Sequence, residues 1–340
     1  MKRVGQLMER IVHPENLREA FLRAARGKTE KKEVRRFREN LDAELDGIAR
    51  RLMSGEYQFD SYHFFTIYDP KKRQICAAPF ADRVTFHAMM RICHPVFDNF
   101  QIFDSYASRK AKGQYQALER ARQFARKYRW FAKLDVCSFF DSINHGVMMQ
   151  QLASLFKDKL LLMHFQTLLD SYHATPGTGL PIGNLTSQYF ANHYMAVADH
   201  YAKEQLGVKG MVRYMDDVIF FGNDKRLLLE QVSRYTAFVR QKLLMDLHPM
   251  VLNRTGCGVP FLGYVVYRYK LRLNERSIRR YKHKVSDLSV ELQSGILGEK
   301  EFLFRMSALT AFVRKADCRS FRQKVYSQEK VFSIEQALTV

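Results

Sequence analysis

Two adjacent acids, Asp216 and Asp217, interrupt a strand-like apolar segment, and this feature constrains the fold most strongly. The segment 212–221 reads apolar, polar, apolar around a turn, which predicts a β-hairpin. Charge inside an apolar hairpin is costly, and buried acids without a partner become protonated. Metal coordination is a natural reason for keeping both acids ionised. A solvent-facing turn is the alternative, which the apolar flanks make the weaker one.

A third acid, Asp135, lies near the end of an apolar strand predicted over residues 130–136. Magnesium prefers carboxylate oxygens and keeps positions free for substrate phosphates. Two such ions promote an in-line phosphoryl displacement, because they activate the attacking hydroxyl and stabilise the leaving oxygen. Asp135 therefore either completes a metal set with Asp216 and Asp217 or has a structural capping role. Spacing alone favours neither.

The chain is strongly basic, with 55 Lys and Arg against 35 Asp and Glu and a formal net charge of +20. Such a surface attracts a polyanion, because contacts with phosphates release counterions. The positive charge is spread along the whole chain, so nucleic acid bound in a long groove is the predicted partner. A solvated basic face or a membrane-surface patch is the alternative.

The sequence gives no sign of a membrane segment or of a cysteine-based site. The longest apolar stretches are far shorter than the roughly 20 residues of a bilayer span, and residues 1–15 lack a signal-peptide pattern. We therefore expect a cytoplasmic protein without a membrane partner. The five cysteines lie far apart, and the eleven histidines show no HExxH or HxxxH spacing. Neither a disulfide framework nor a zinc site can be read from these residues.

The first hundred residues predict helices around one hairpin. Apolar residues from Val34 to Leu52 recur at three- and four-residue steps, which predicts one continuous amphipathic helix with a basic face. Short β-type runs at 64–68 and 74–78 predict a hairpin with a cationic turn. A helix beginning at Arg83 is expected to stop near Pro95, because proline disfavours helical geometry in the residue before it.

The remaining chain alternates between strands and helices. Two further helices are predicted after the strand 130–136 and the glycine-rich loop 175–183, and another over 225–244. Past Gly263, a hairpin leads into a basic helical region that begins with apolar residues from Ile278 onward on one face. This alternation with interspersed hairpins predicts an α+β fold.

Four blocks of the sequence, in this order, resemble successive motifs of reverse transcriptases. They are Leu134 to Ile143 (LDVCSFFDSI), Gly179 to Gln188 (GLPIGNLTSQ), Tyr214 to Asp217 (YMDD) and Phe261 to Tyr264 (FLGY). With weaker upstream blocks, the similarity covers roughly Tyr57 to Tyr264. The resemblance implies an RNA-directed DNA polymerase shaped like a right hand, with fingers, an antiparallel palm sheet backed by helices, and a helical thumb. The implied boundaries are 1–118 for the fingers with basic N-terminal helices, 119–264 for the palm, of which 145–181 belong partly to the fingers, and 265–340 for the thumb.

The resemblance also implies roles for individual residues. The catalytic carboxylates Asp135, Asp216 and Asp217, together with Val136, would hold two Mg²⁺ ions, with Mn²⁺ as a possible substitute. Phe140 matches the position whose ring lies under the incoming sugar and blocks a ribose 2′-hydroxyl. It therefore argues against an RNA-directed RNA polymerase, although plain core packing is the usual fate of a phenylalanine.

Two further groups of residues match family positions that contact substrate. Lys72 and Arg73 match the residues that clamp the triphosphate, for which a guanidinium is suited, and a solvated hairpin tip is their alternative role. Phe261, Leu262, Gly263 and Tyr264 match the primer grip, although the first two of these can equally be palm core.

The second block departs from the common family pattern and indicates a subgroup. Most members read QGxxxSP, whereas this chain has Ile182, Gly183 and, at the end of the block, Gln188. The IGxxxSQ form resembles the enzymes of diversity-generating retroelements, which copy a template RNA with errors at adenines. An apolar side chain replaces an amide that can hydrogen-bond the nucleotide, which is a plausible route to relaxed fidelity.

This subgroup implies a bacterial or phage-encoded enzyme with four kinds of partner. They are template RNA, a cDNA or DNA primer, deoxynucleotides, and a small basic helical accessory variability protein. A retron or abortive-infection reverse transcriptase is one alternative. A non-catalytic nucleic-acid-binding scaffold is another, but it predicts the loss of a metal carboxylate, and all three are present.

Overall fold

The computed structural model describes residues 2–68 and 72–328. Its N-terminal part contains the helices α1 (Met8–Val12), α2 (Pro14–Ala25), α3 (Lys32–Glu39) and α4 (Leu41–Ser54). The single helix predicted through Val34 and Leu52 is wrong, because the chain leaves helical geometry at Asn40, with φ −121° and ψ 35°. Both apolar residues are nevertheless fully buried in the same core. The apolar stripe is thus divided between two helices that pack on one centre.

A hairpin of β1 (His63–Ile67) and β2 (Arg73–Ala77) follows, as predicted, with each strand one residue earlier than expected. Residues 69–71 of the predicted cationic turn lie outside the described residues. The next helix, α5 (Phe80–Phe100), continues through Pro95, so the predicted stop is wrong. Proline costs a helix one hydrogen bond, but Val96 and Phe97 beyond it are buried in the core. We attribute the continued helix to this packing.

The middle of the chain contains α6 (Gln114–Lys127), β3 (Trp130–Leu134), α7 (His145–Leu155), α8 (Lys159–Asp170) and α9 (Leu185–His200). The prediction of two helices here is short by one, because two helices, α7 and α8, separate β3 from the glycine-rich loop. The hairpin predicted next is confirmed as β4 (Gly210–Tyr214) and β5 (Asp217–Gly222), and the helix after it as α10 (Lys225–Leu243). The strand β6 (Val251–Arg254) completes this region.

These four strands form one antiparallel sheet in the order β4-β5-β3-β6. Successive side chains of a strand point to opposite faces. Ala132 and Leu134 accordingly belong to the main core, which includes residues of α9 and α10, whereas Phe131 and Ile219 belong to a second core with α6. The sheet therefore packs against helices on both faces.

The C-terminal part is a three-stranded antiparallel sheet with three helices, namely β7 (Val259–Phe261), β8 (Tyr264–Val266), β9 (Leu271–Leu273), α11 (Glu275–Gln293), α12 (Glu299–Val313) and α13 (Arg319–Gln328). This confirms the predicted hairpin and basic helical region. Antiparallel sheets backed by helices also confirm the α+β class. Within residues 2–68 and 72–328, no helix has the length and apolar character needed to cross a bilayer.

Candidate active site

The three acids singled out in the sequence meet at one end of the central sheet. Leu134 of β3 pairs with Val218 of β5, so Asp135 and Asp217 lie one residue beyond that pair, on neighbouring strands and on the same face. Tyr214 pairs with Asp217, which leaves Met215 and Asp216 as the two-residue turn of the hairpin. The alternative capping role of Asp135 is not seen at the next helix, because Asn144 caps α7.

The electrostatics of these acids reflect their burial. Burial raises the pKa of Asp217 to about 7, although Lys133 lies beside it with Nζ 3.0 Å from Oδ2. Burial, together with a smaller contribution from the charge of Asp135, raises the pKa of Asp216 to about 6. Asp216 and Asp217 therefore resist ionisation unless more positive charge is present.

A divalent cation fits this arrangement. Asp217 Oδ1 is buried and has no hydrogen-bond partner among the described residues. A buried, unpaired carboxylate oxygen is costly, and a hard cation with oxygen ligands would satisfy it. Val136, the fourth predicted metal-site residue, lines the same cleft as the acids. The donor set is therefore appropriate for magnesium or manganese.

The acids form part of the wall of a cleft of about 940 Å³. Arg73 of β2, Phe140 of the loop after β3, and Ile182 of the glycine-rich loop line the same cleft. Both Phe140 and Ile182 are half-buried. Three residues that are far apart in the sequence, each predicted to contact the nucleotide, thus line the same cleft as the carboxylates.

The other three predicted nucleotide contacts are not among the described residues that line this cleft. Lys72 is exposed next to β2, and Gln188 accepts a hydrogen bond from Ser108 Oγ (3.1 Å). Gly183 has φ +117°, and a side chain there would come within 3.0 Å of Ile75. Glycine is thus required at position 183, because the backbone there lies close to β2. The nucleotide contacts of all three residues stay predictions.

The predicted primer-grip block divides into two pairs. Leu262 and Gly263 form the turn between β7 and β8 and line the cleft, whereas Phe261 and Tyr264 pair with each other across the hairpin and are buried. Gln114 Nε2 donates to the Leu262 carbonyl oxygen (2.9 Å). The turn is thus fixed from the side of α6, and its contact with a primer stays a prediction.

Sequence reasoning missed Lys133 and Arg213, two cations that support the acids. Arg213 is fully buried beneath the sheet, where Nε donates to Asp199 Oδ2 (2.7 Å) and Nη1 donates to the Met215 carbonyl oxygen (3.0 Å). The sequence does contain a signal for both residues, because each is a lone cation within an otherwise apolar strand. Lys133 is also two residues from Asp135 and so shares its face.

Residues 69–249 match the model of a protein family described as reverse transcriptase (RNA-dependent DNA polymerase). A putative COX1/OXI3 intron 1 protein of Saccharomyces cerevisiae is 25% identical over 181 residues, which are 50% of this chain and 22% of that protein.

Similar solved structures include two yeast telomerases in complex with a fragment of telomeric RNA. The Candida albicans structure has a TM-score of 0.49 at 13% identity and covers 86% of this chain and 59% of that one. The Candida tropicalis structure has a TM-score of 0.49 at 11% identity and covers 80% of this chain and 55% of that one. The chain thus spans between half and two thirds of these telomerase chains and a much smaller share of the intron protein.

Proposed function

Because this chain belongs to the reverse transcriptase (RNA-dependent DNA polymerase) family, we propose that it extends a DNA primer along an RNA template. The observation that carries the proposal is the single cleft that is lined by Asp135, Asp216 and Asp217 together with Arg73 and Phe140. Carboxylates for a metal, a guanidinium for phosphates and an aromatic ring for a sugar are the groups that a nucleotidyl transfer requires.

Each of these residues has a separate task in the proposed reaction. Asp135, Asp216 and Asp217 would hold two Mg²⁺ ions, which when bound supply charge stabilisation at the attacking and leaving oxygens. Arg73, which lines the cleft, holds the triphosphate. Phe140 lies under the sugar and excludes a 2′-hydroxyl by its volume. Lys133 neutralises part of the negative charge at Asp217, to which it is paired.

Replacement of a single carboxylate tests the assignment. Asp135→Asn and Asp216→Asn keep the side-chain shape but each removes a negative ligand. A metal contributes several kcal/mol to such a reaction, so primer extension on an RNA template should fall by about 10³-fold or more. Asp246→Asn is the matched control, because that side chain is 81% exposed. Near-normal extension by either site variant, with the protein folded, contradicts the proposal.

We further propose that the enzyme is the error-prone polymerase of a diversity-generating retroelement. Ile182 supports this, because it lines the cleft and its apolar side chain has no group that can hydrogen-bond a nucleotide. Its carbonyl oxygen already accepts a hydrogen bond from the Cys76 N–H (2.8 Å). Such a side chain offers contact area but no directional bond, so a mispaired nucleotide loses little relative to a correct one. The partners would be template RNA, deoxynucleotides, cDNA and a small basic accessory protein.

The fidelity role is tested by restoring the amide. Ile182→Gln adds a hydrogen bond that only a well-positioned nucleotide makes, worth on the order of 0.5 to 1.5 kcal/mol. Sequencing of cDNA should therefore show about two- to twelve-fold fewer errors, most clearly opposite template adenines. Ile182→Leu is the control, because it keeps an apolar side chain and should keep the error frequency. Equal adenine errors in both active variants contradict the role of Ile182.

A further inference from the structure

Three potential metal ligands meet on the side of the glycine-rich loop, outside the set of carboxylates described above. They are His145 at the start of α7, Asp170 at the end of α8, and His173 just beyond it. One ligand atom of each residue lies within 4.8 Å of the others. Asp170 and His173 are three residues apart, but His145 is brought to them only by the fold.

The tautomer of His145 is fixed by the backbone around it. Its Nε2 lies 2.7 Å from the Gly179 carbonyl oxygen, which can only accept, so Nε2 carries the proton. Nδ1 therefore has a free lone pair. This atom is buried and has no hydrogen-bond partner among the described residues, and the residue is only 5% exposed. Metal-ligating histidines usually donate their other ring N–H to a carbonyl or carboxylate in this way.

The two other ligands are exposed and adjustable. His173 Nδ1 accepts a long hydrogen bond of 3.3 Å from the Gly177 N–H, and a cation can replace this weak donor. Asp170 Oδ1 accepts from Gln166 Nε2 (2.8 Å), which orients the carboxylate as an outer partner does in metal sites. Ligands of one zinc ion lie about 3.4 Å apart, because each is roughly 2.0 to 2.1 Å from the metal. Rotation of the two exposed side chains, which moves their ligand atoms by roughly one to two ångströms, is sufficient to bring the three atoms to this spacing.

We propose that His145, Asp170 and His173 form a second metal site, which binds Zn²⁺ or a similar transition-metal ion. Two imidazoles and one carboxylate select zinc over magnesium, which takes oxygen ligands. Water completes the coordination on the exposed side. The site is separate from the carboxylates of the cleft in both chemistry and position.

The consequence of binding lies in the glycine-rich loop 175–183, which is hydrogen-bonded to the segment that carries Phe140. The Leu180 N–H donates to the Phe140 carbonyl oxygen (2.8 Å), and the Gly179 N–H donates to the Ile143 carbonyl oxygen (2.9 Å). Gly179 also accepts from His145. A cation on His145 therefore stabilises the glycine-rich loop, which contains Ile182 and is hydrogen-bonded to Phe140, two residues that line the cleft. The cation itself makes no contact with substrate.

The test measures metal content in the presence of excess Mg²⁺, so that the cleft carboxylates are occupied. The full chain is equilibrated with Co²⁺ or Zn²⁺ and dialysed, and bound metal is counted; Co²⁺ also reports imidazole ligands by its visible absorption. We expect one ion per chain in the wild type and none in Asp170→Asn or His173→Ala. Both positions are exposed, so these variants should fold normally. His283→Ala is the matched control, because it removes an exposed histidine paired with Asp287.

Amide exchange over residues 174–183 gives a second readout that does not depend on polymerase activity. Zn²⁺ should slow exchange in the wild type and in His283→Ala, and should leave it unchanged in Asp170→Asn. Retention of one ion per chain by both site variants overturns the proposal, as does a wild type that binds none under these conditions. Because neither readout uses primer extension, failure here is distinguishable from failure of the proposed polymerase function.

Discussion

Arg213 beneath the YMDD turn is the side chain whose loss should be most damaging outside the cleft. Its guanidinium and Asp199 are both 0% exposed, with Nε 2.7 Å from Oδ2. The remaining donors bond to Asn192 Oδ1 (2.8 Å), Gln101 Oε1 (3.0 Å) and Ser105 Oγ (3.0 Å), as well as to the Met215 carbonyl oxygen. Arg213→Met keeps most of the side-chain length but leaves Asp199 as a buried acid without its cation.

The magnitude follows from this burial. Removal of one partner of a buried ion pair costs about 3 to 5 kcal/mol, because the other charge stays desolvated. The total stability of a domain is only about 5 to 15 kcal/mol. Arg213→Met should therefore lose a large fraction of the free energy of unfolding. The control is Arg234, which pairs with Glu230 at the surface, where the two side chains are 55% and 65% exposed. Arg234→Met should change the free energy of unfolding by less than about 1 kcal/mol.

Urea denaturation of the two variants and the wild type measures these differences. A double variant, Arg213→Met with Asp199→Leu, removes both charges and should cost less than the sum of the two single changes. Primer extension should also fall in Arg213→Met under conditions in which it is folded, because the Met215 carbonyl next to Asp216 loses its donor. A loss of stability below about 1 kcal/mol in Arg213→Met would refute the reasoning.

Two further predictions concern the cleft. Phe140→Ala should admit ribonucleotides, because it opens space beside the sugar, at a stability cost of up to about 3 to 5 kcal/mol; unchanged preference for deoxynucleotides in a folded variant would contradict the steric role. The raised pKa values of Asp216 (about 6) and Asp217 (about 7) mean that protons compete with metal below about pH 7. The Mg²⁺ concentration for half-maximal extension should therefore rise as pH falls from 8 to 6, and a constant value would speak against it. In metal-free protein, Asp216 and Asp217 hold their protons in the folded state between about pH 4 and 7, where they would be ionised in the unfolded state. As pH rises through that window, the wild type should therefore lose more stability to urea than Asp217→Asn, which lacks one of these carboxyls.

Much of the site was predictable because its chemistry depends on local patterns. A two-residue turn between apolar runs specifies the hairpin that carries Asp216 and Asp217, since strand periodicity and turn position are properties of adjacent residues. The sequence likewise identified Asp135 at the end of its strand. The basic composition, through its effect on long-range electrostatics, already favoured nucleic acid, which is the partner proposed here.

Helix ends were less predictable, because local preference competes with packing. Pro95 disfavours a helix locally, yet buried residues on both sides keep α5 continuous. The apolar stripe from Val34 to Leu52 fits one long helix equally well, and only the shape of the core places the break at Asn40. In both cases tertiary contacts outweigh a preference of at most a few kcal/mol.

The sequence by itself determined the acids, their hairpin, the order of the family motifs and the basic character of the chain. Only the tertiary structure decided that Phe140 and Ile182 share a cleft with the acids while Gln188 is held elsewhere by Ser108. It also decided that His145 lies close to Asp170, the last residue of α8, and to His173 just beyond that helix. The physical reason is that side-chain proximity across the fold depends on how helices and strands pack, whereas sequence spacing specifies only neighbours along one element.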